Sequence, residues 1–165
     1  MKRDLKGLVL TALFLTLLIV SSQIYIPSTV PFTLQTFVLF LSSHLLGRKK
    51  AVCVLSLYIL MGLLSLPVFS GFLSGAGVFL THRGGFLLGF FPLVLLSSAR
   101  KGKFVFSVAG LFICHLCAVL WISLLYSVPI VLSFVTYSLP FILKDVLCCV
   151  LSLLLCEKIK KAGVF

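Results

Sequence analysis

Acidic side chains are nearly missing from this chain. Among 165 residues there are three, Asp4, Asp145 and Glu157, against fourteen lysines and arginines. Two of the three sit near the ends of apolar segments. The histidines, His44, His82 and His115, fall at different predicted depths, where His44 and His115 are expected to pack or hydrogen-bond between helices. Intramembrane hydrolases and acyltransferases need a nucleophile with its base, or several acids and histidines converging, and no such set is visible. An enzyme is therefore not expected. Charge of either sign is also scarce, at 10% of residues where soluble domains carry about a quarter, so no soluble domain is expected. A nucleotide-binding loop is missing too. The "SGAG" of residues 74–77 lacks the preceding strand and the following Lys-Ser/Thr of a phosphate loop. Any ATP-driven step must be supplied by another chain.

Cysteine is present but in the wrong places for a scaffold. Cys53, Cys114, Cys117, Cys148, Cys149 and Cys156 all lie in apolar segments, so no disulfide framework is read from them. "CHLC" (Cys114, His115, Cys117) offers three ligands at most, with no second cluster to complete a metal site. Cysteines so placed act as small apolar residues.

What the chain has is hydrophobic length: 61% of residues are apolar. A helix needs about 20 apolar residues to cross a bilayer. Six candidates run over about 7–25, 33–47, 50–66, 84–99, 104–126 and 138–157, the second and fourth being short. The fold class expected is an all-α integral membrane bundle of six helices, forming a single membrane domain over residues 1–165. The basic amino terminus resembles a signal peptide, but its apolar run is too long and further spans follow, so it reads as the first membrane helix.

The net charge of +11 raises nucleic acid as a partner, and the placement of the charges argues against it. Lys2, Arg3 and Lys6 precede the first span, and Arg48, Lys49 and Lys50 separate the second from the third. Arg100, Lys101 and Lys103 separate the fourth from the fifth, and Lys158, Lys160 and Lys161 close the sixth. With six spans these clusters share one side. The positive-inside rule makes that side, with both termini, cytoplasmic. Arg83 and Lys144 alone escape the pattern.

The outer side carries the unusual connections. In "YIPSTVPFTLQ", Pro27 and Pro31 interrupt helix. "LPVFSGFLSGAGVFLTHRGG" is long, glycine-rich and still apolar, so it is expected to fold back against the bundle. Irregular backbone at membrane depth is tolerated only when buried in protein or lining a cavity. Gly85 and Gly89 have the four-residue spacing that lets two membrane helices approach closely; Ala12 and Thr16 form a weaker pair of the same kind.

Asp145 demands a reason. A carboxylate near a membrane helix centre costs about 2.5–3.5 kcal/mol, so it faces a cavity or a partner. It lies about five residues past Pro140, roughly 8 Å of helix below the outer interface. Phe141, Ile142, Cys148, Cys149 and Ser152 share its face; Lys144, as an adjacent residue, is not expected to. Lys144 is instead expected to extend toward the outer mouth, its side chain leaning to the helix amino end. Arg83 adds a second outer cation, and a plain ion pair between Arg83 and Asp145 is the bland alternative. The pocket so formed suits a small apolar solute with an anionic end and a donor-bearing head.

Four segments together then carry a family resemblance. "IPSTVPFTLQTFVLFLSSHLLG", "LYILMGLLSLPVFSG", "THRGGFLLGF" and "LPFILKD" are similar, in order and spacing, to the motifs of the BioY family, from about residue 8 to the end. These are biotin-binding S components of energy-coupling factor (ECF) transporters. The resemblance implies uptake of biotin from outside the bacterial cytoplasmic membrane. It also implies partnership with an ECF transmembrane coupling subunit and two ATPase subunits, which would use the ATP. It implies Asp145 as holder of the ureido ring, and Ala12 and Thr16 as the coupling-subunit contact. The substrate-binding set expected is Asp145, Arg83, Lys144, Ser70, Gln35, Gly84 and Gly85. The family's usual lysine three residues after the aspartate is Cys148 here, with Lys144 placed before it. Its usual Gly-Pro-Thr before the double glycine is Thr81-His82-Arg83. Arg83 and Lys144 are accordingly expected to take the carboxylate. An S component or facilitator for a different small vitamin is the alternative.

Overall fold

The computed structural model describes residues 2–26 and 32–163, so Pro27 and Pro31 lie outside the described residues. Seven α-helices occur among them: α1 (Lys2–Gln23), α2 (Gln35–Leu46), α3 (Arg48–Leu63), α4 (His82–Ser97), α5 (Lys103–Tyr126), α6 (Ile130–Tyr137) and α7 (Leu139–Lys161). Six correspond to the expected spans. The seventh, α6, is new, an eight-residue apolar helix too short to register as a span. Three helices are long and apolar enough to cross a membrane: Leu5–Gln23, Lys103–Tyr126 and Leu139–Lys161. At 1.5 Å per residue, α2 reaches only about 18 Å and α4 about 24 Å. Both are short of the roughly 30 Å hydrocarbon core.

Polarity is inverted relative to a water-soluble bundle. Leu5, Leu8, Val105, Phe112, Leu124 and Leu143 are exposed, whereas Ser42, His44, Ser107, His115, Asp145 and Ser152 are buried. Buried polar groups then find each other: His44 Nε2 meets Ser107 Oγ at 3.0 Å and His44 Nδ1 meets Ser152 Oγ at 3.2 Å. One histidine thereby ties α2, α5 and α7 together.

Local chemistry sets the turns. Gly47 takes φ 76° and Gly102 φ 62°, left-handed conformations that let α2 pass directly into α3 and start α5 at once. Thr81 caps α4 by accepting the Arg83 amide on its hydroxyl at 3.2 Å. After α1 the chain forms a small antiparallel ribbon, β1 (Tyr25–Ile26) with β2 (Phe32–Thr33), pairing Tyr25 with Thr33 and Ile26 with Phe32. Phe32 stacks on Phe141 of α7 with ring centroids 4.2 Å apart, which places the ribbon over that helix.

The glycine-rich connection folds back, as its apolar composition requires. Ser22 donates to the Val68 carbonyl at 2.6 Å, and Gln23 Nε2 donates to the carbonyls of Val68 and Phe69, both at 3.1 Å. Gln23 Oε1 in turn accepts the Phe72 amide at 3.0 Å. The end of α1 thus satisfies backbone groups that lipid could not. A 3-10 turn (Ala76–Leu80) completes the connection before α4.

The α4–α5 contact is the closest in the bundle. A methyl group at Gly89 would come within 2.8 Å of the Cys114 carbonyl oxygen and 2.9 Å of its Cα. At Gly85 it would come within 2.7 Å of Ala118 Cα. Both obstacles are backbone and cannot rotate away. Gly89→Val is expected to destabilise the fold by about 1–3 kcal/mol, the usual cost of overpacking. Gly77→Ala, with nothing within 4 Å of the new methyl, serves as the control. Thermal unfolding in detergent reads both, and equal melting temperatures would contradict the close contact.

Candidate functional site

Between β2, the folded-back connection and helices α2, α3, α4 and α7 lies a cavity that is partly open to the outside. Its walls are mainly aromatic and aliphatic: Phe69, Val78, Phe86, Leu87, Phe90 and Phe141. Its polar lining comprises a cluster around Asp145 together with Ser70 and Arg83.

Asp145 is 3% exposed and fully engaged on one oxygen. Its Oδ1 accepts from Thr36 Oγ1 at 2.6 Å and from Lys144 Nζ at 2.6 Å. His115 Nε2 lies 3.3 Å from Oδ2, and the other ring nitrogen, Nδ1, meets Ser138 Oγ at 2.7 Å. Since an ionised carboxylate only accepts, His115 donates from Nε2 and accepts the Ser138 hydroxyl at Nδ1. The Lys144 ammonium also donates to the Thr33 carbonyl at 3.0 Å and to Thr36 Oγ1 at 3.3 Å. Beside this cluster Gln35 Nε2 donates to Tyr58 at 2.6 Å, and Gln35 Oε1 accepts from Thr33 Oγ1 at 3.0 Å.

This geometry corrects the expectation for Lys144. Adjacent residues on a helix point apart, but a four-carbon stem is long enough to fold back around the axis. Thr33 and Thr36, on β2 and α2, hold the ammonium against Asp145 rather than letting it rise to the outer mouth. The Arg83–Asp145 pair does not form among the described residues; Asp145 pairs with Lys144 and His115 instead.

Elsewhere in the lining, Ser70 Oγ and Arg83 Nε are buried without a hydrogen-bond partner among the described residues. Arg83 arrives there as the second residue of α4, immediately after the Thr81 cap. Ser70 sits at the bend of the folded-back connection, beside Gly71 at φ 77°.

Five of the seven expected binding residues, Asp145, Arg83, Lys144, Ser70 and Gln35, therefore line one cavity. Gly84 and Gly85 do not. A methyl at Gly84 would run into the Phe79 backbone, and one at Gly85 into α5, so both serve packing. Thr36, Tyr58 and His115 belong to the cavity or to its polar cluster and were not singled out from sequence as binding groups. The available signal was a polar side chain inside an apolar helix, which nine other buried serines and histidines among the described residues share in kind.

Comparison with known proteins identifies the family. A sequence model of the BioY family matches residues 1–164. The chain belongs to the BioY family. The biotin transporter BioY of Thermotoga maritima is 34% identical over 97% of this chain and 99% of its own length. The biotin transporter BioY2 of Lactococcus lactis is 30% identical over 87% of this chain and 84% of its own. Among solved structures, the S-component for biotin from an ECF-type ABC transporter superposes with a TM-score of 0.88. That match covers 97% of this chain and 93% of the other at 21% identity, which establishes a shared fold. For this BioY chain, the coupling between Lys144 and Asp145 is open to direct measurement. Asp145→Asn and Lys144→Gln should each lower stability, and the double variant should recover about 0.5–3 kcal/mol of the summed loss. Strict additivity in a detergent unfolding cycle would mean that the two side chains do not pair.

Proposed function

We propose that this chain captures biotin in the cavity bounded by Asp145 and Arg83 and delivers it inward as the substrate-specific component of an ECF-type transporter. The observation that carries the reading is one cavity whose aromatic walls are shared by an acidic cluster at Asp145 and by the unpartnered Ser70 Oγ and Arg83 Nε. Biotin has matching parts: a ureido ring with two N–H donors and a carbonyl, an apolar thiophane and chain, and a terminal carboxylate.

Counting lone pairs assigns the ends. A carboxylate accepts at about four sites, and three donors from the chain already occupy Asp145, leaving one site on Oδ2. A ureido N–H fits it. Gln35 has two amide hydrogens and donates one to Tyr58, so the other is free for the ureido carbonyl. Lys144 has three hydrogens and directs all three to Asp145, Thr33 and Thr36. It has none left for a second anion. Arg83, with a buried Nε that lacks a partner, is therefore the cation that reads the biotin carboxylate, with Ser70 beside it.

The remaining assembly follows from family membership and charge placement. The six helices other than α6 form the membrane-embedded bundle, with the short α2 and α4 completed by their adjoining loops; the four basic clusters and both termini face the cytoplasm, and the protein resides in the bacterial cytoplasmic membrane. An ECF coupling subunit and two ATPases supply reorientation and ATP hydrolysis. On α1, Ala12 and Thr16 are exposed, and Thr16 Oγ1 donates back to the Ala12 carbonyl at 3.1 Å. That internal bond removes the hydroxyl from the face and leaves a small surface for another helix.

Equilibrium titration with biotin tests the site. Asp145→Asn should weaken binding by about 1.5–3 kcal/mol, or roughly 10- to 150-fold. In the wild type, biotin methyl ester should bind more weakly than biotin, and Arg83→Gln should erase that difference. Equal affinity for ester and acid in the wild type would overturn the Arg83 assignment, and displacement by riboflavin or thiamine would overturn biotin. For the assembly, Ala12→Trp should abolish co-purification with a coupling subunit while leaving the biotin titration unchanged. Retained co-purification would remove α1 from that contact.

A further inference from the structure

At the end of the bundle away from Asp145, the α2–α3 turn and the α4–α5 turn enclose a second open cavity, of about 1040 Å³. Arg48, Lys49, Lys50 and Arg100 line it, together with Gly47 and Ser98. No carboxylate lies within either turn: the chain reads "LGRKKA" over residues 46–51 and "SARKGK" over 98–103. None of these four cations is in an ion pair among the described residues. The cavity also opens on the first turn of α3, where Gly47 precedes the helix and no side chain caps the free amides. Aligned amides and the helix dipole add positive potential there.

We infer that this cavity binds the phosphodiester headgroup of an anionic phospholipid. The chemistry calls for an anion, since four like charges around one space repel one another until a counter-ion enters. The choice of lipid over a free ion rests on what adjoins the cavity. Leu88 and Leu95, two turns apart on α4, are exposed, and Ala99, two residues past the end of that helix, lines the cavity. An acyl chain lying along that stripe would place its phosphate among the cations. Basic pockets between membrane helices bind anionic headgroups by this combination. The basic end of α7 lacks it: there Glu157 stands within one residue of Lys158, so the local charge is partly offset.

The test compares two variants of equal charge. Lys49→Gln with Arg100→Gln removes one cation from each wall, while Lys158→Gln with Lys161→Gln removes two from α7. Each protein, purified in detergent, is titrated with cardiolipin, with phosphatidylethanolamine and with inorganic phosphate, and bound lipid is read by native mass spectrometry. The first variant should bind cardiolipin about 25-fold more weakly than wild type, two cations at roughly fivefold apiece, and the second within about twofold of wild type. Matching melting temperatures confirm that both variants are folded. Equal losses in the two variants would reduce the effect to diffuse charge and overturn the site. Inorganic phosphate competing at the same concentration as cardiolipin would overturn the lipid assignment in favour of a soluble anion. If the first variant keeps cardiolipin but loses an acidic coupling subunit, the cavity is a protein contact and the inference fails.

Discussion

A buried carboxylate in an oily bundle must be neutralised, and the neutralisation of Asp145 organises the helices around it. Outside its own helix its donors come from two elements, and a third steadies the pair. Thr36 reaches it from α2 and His115 from α5, while the Thr33 carbonyl of β2 accepts from the Lys144 ammonium. Breaking a buried pair by removing one partner costs several kcal/mol, because the surviving charge has no water to turn to. Helices α2, α5 and α7 are thus held at positions that keep the donors within about 3 Å. The same need leaves a space that aromatic side chains surround without filling. Cavity and ion cluster have one origin.

The roof of that cavity obeys the matching rule for backbone. Residues 66–81 are irregular yet apolar, which lipid would punish unless their amides and carbonyls were paired inside the protein. Ser22, Gln23 and Tyr58 provide the pairing: Val68 alone accepts from all three. Phe69 then locks the connection sideways. It packs edge-on against Tyr58 and Phe79, and it occupies the space where any side chain on Gly62 would stand. The roof is a fixed part of the bundle because its polar atoms have no second place to go.

This division explains which features could be read from residues alone. Hydropathy located six helices because each must present a long apolar face, and the inverted surface confirms the cause. It missed α6, since eight apolar residues carry no length signal, and the β1–β2 ribbon, whose strands are two residues each. Asp145, Arg83, Ser70 and Gln35 were legible as polar groups that an apolar chain would not carry idly. Lys144 was misread because helical spacing fixes where a Cβ points, not where a flexible ammonium ends; its partners Thr33 and Thr36 lie more than a hundred residues away. His115 looked like any helix-packing histidine until α7 brought Ser138 and Asp145 to its two nitrogens. Gly84 and Gly85 stand outside the cavity lining, packed against Phe79 and α5; a glycine that admits a ligand and one that admits a helix look alike in sequence.

Because Asp145 is already served by the chain, a guest does not rescue a naked charge. On the proposed assignment it adds one hydrogen bond at Oδ2, worth about 1.5–3 kcal/mol for a charged acceptor. The rest of the affinity would then come from the phenylalanine walls and from Arg83. That arrangement favours release as well as capture. A carboxylate left bare by ligand departure would hold the guest until something replaced it, whereas here Lys144, Thr36 and His115 stay in place and the bundle loses only one contact at that end. For a chain that reads as carrying no energy source of its own, a site whose acidic end is self-sufficient leaves the proposed contact with Arg83 to decide whether biotin stays.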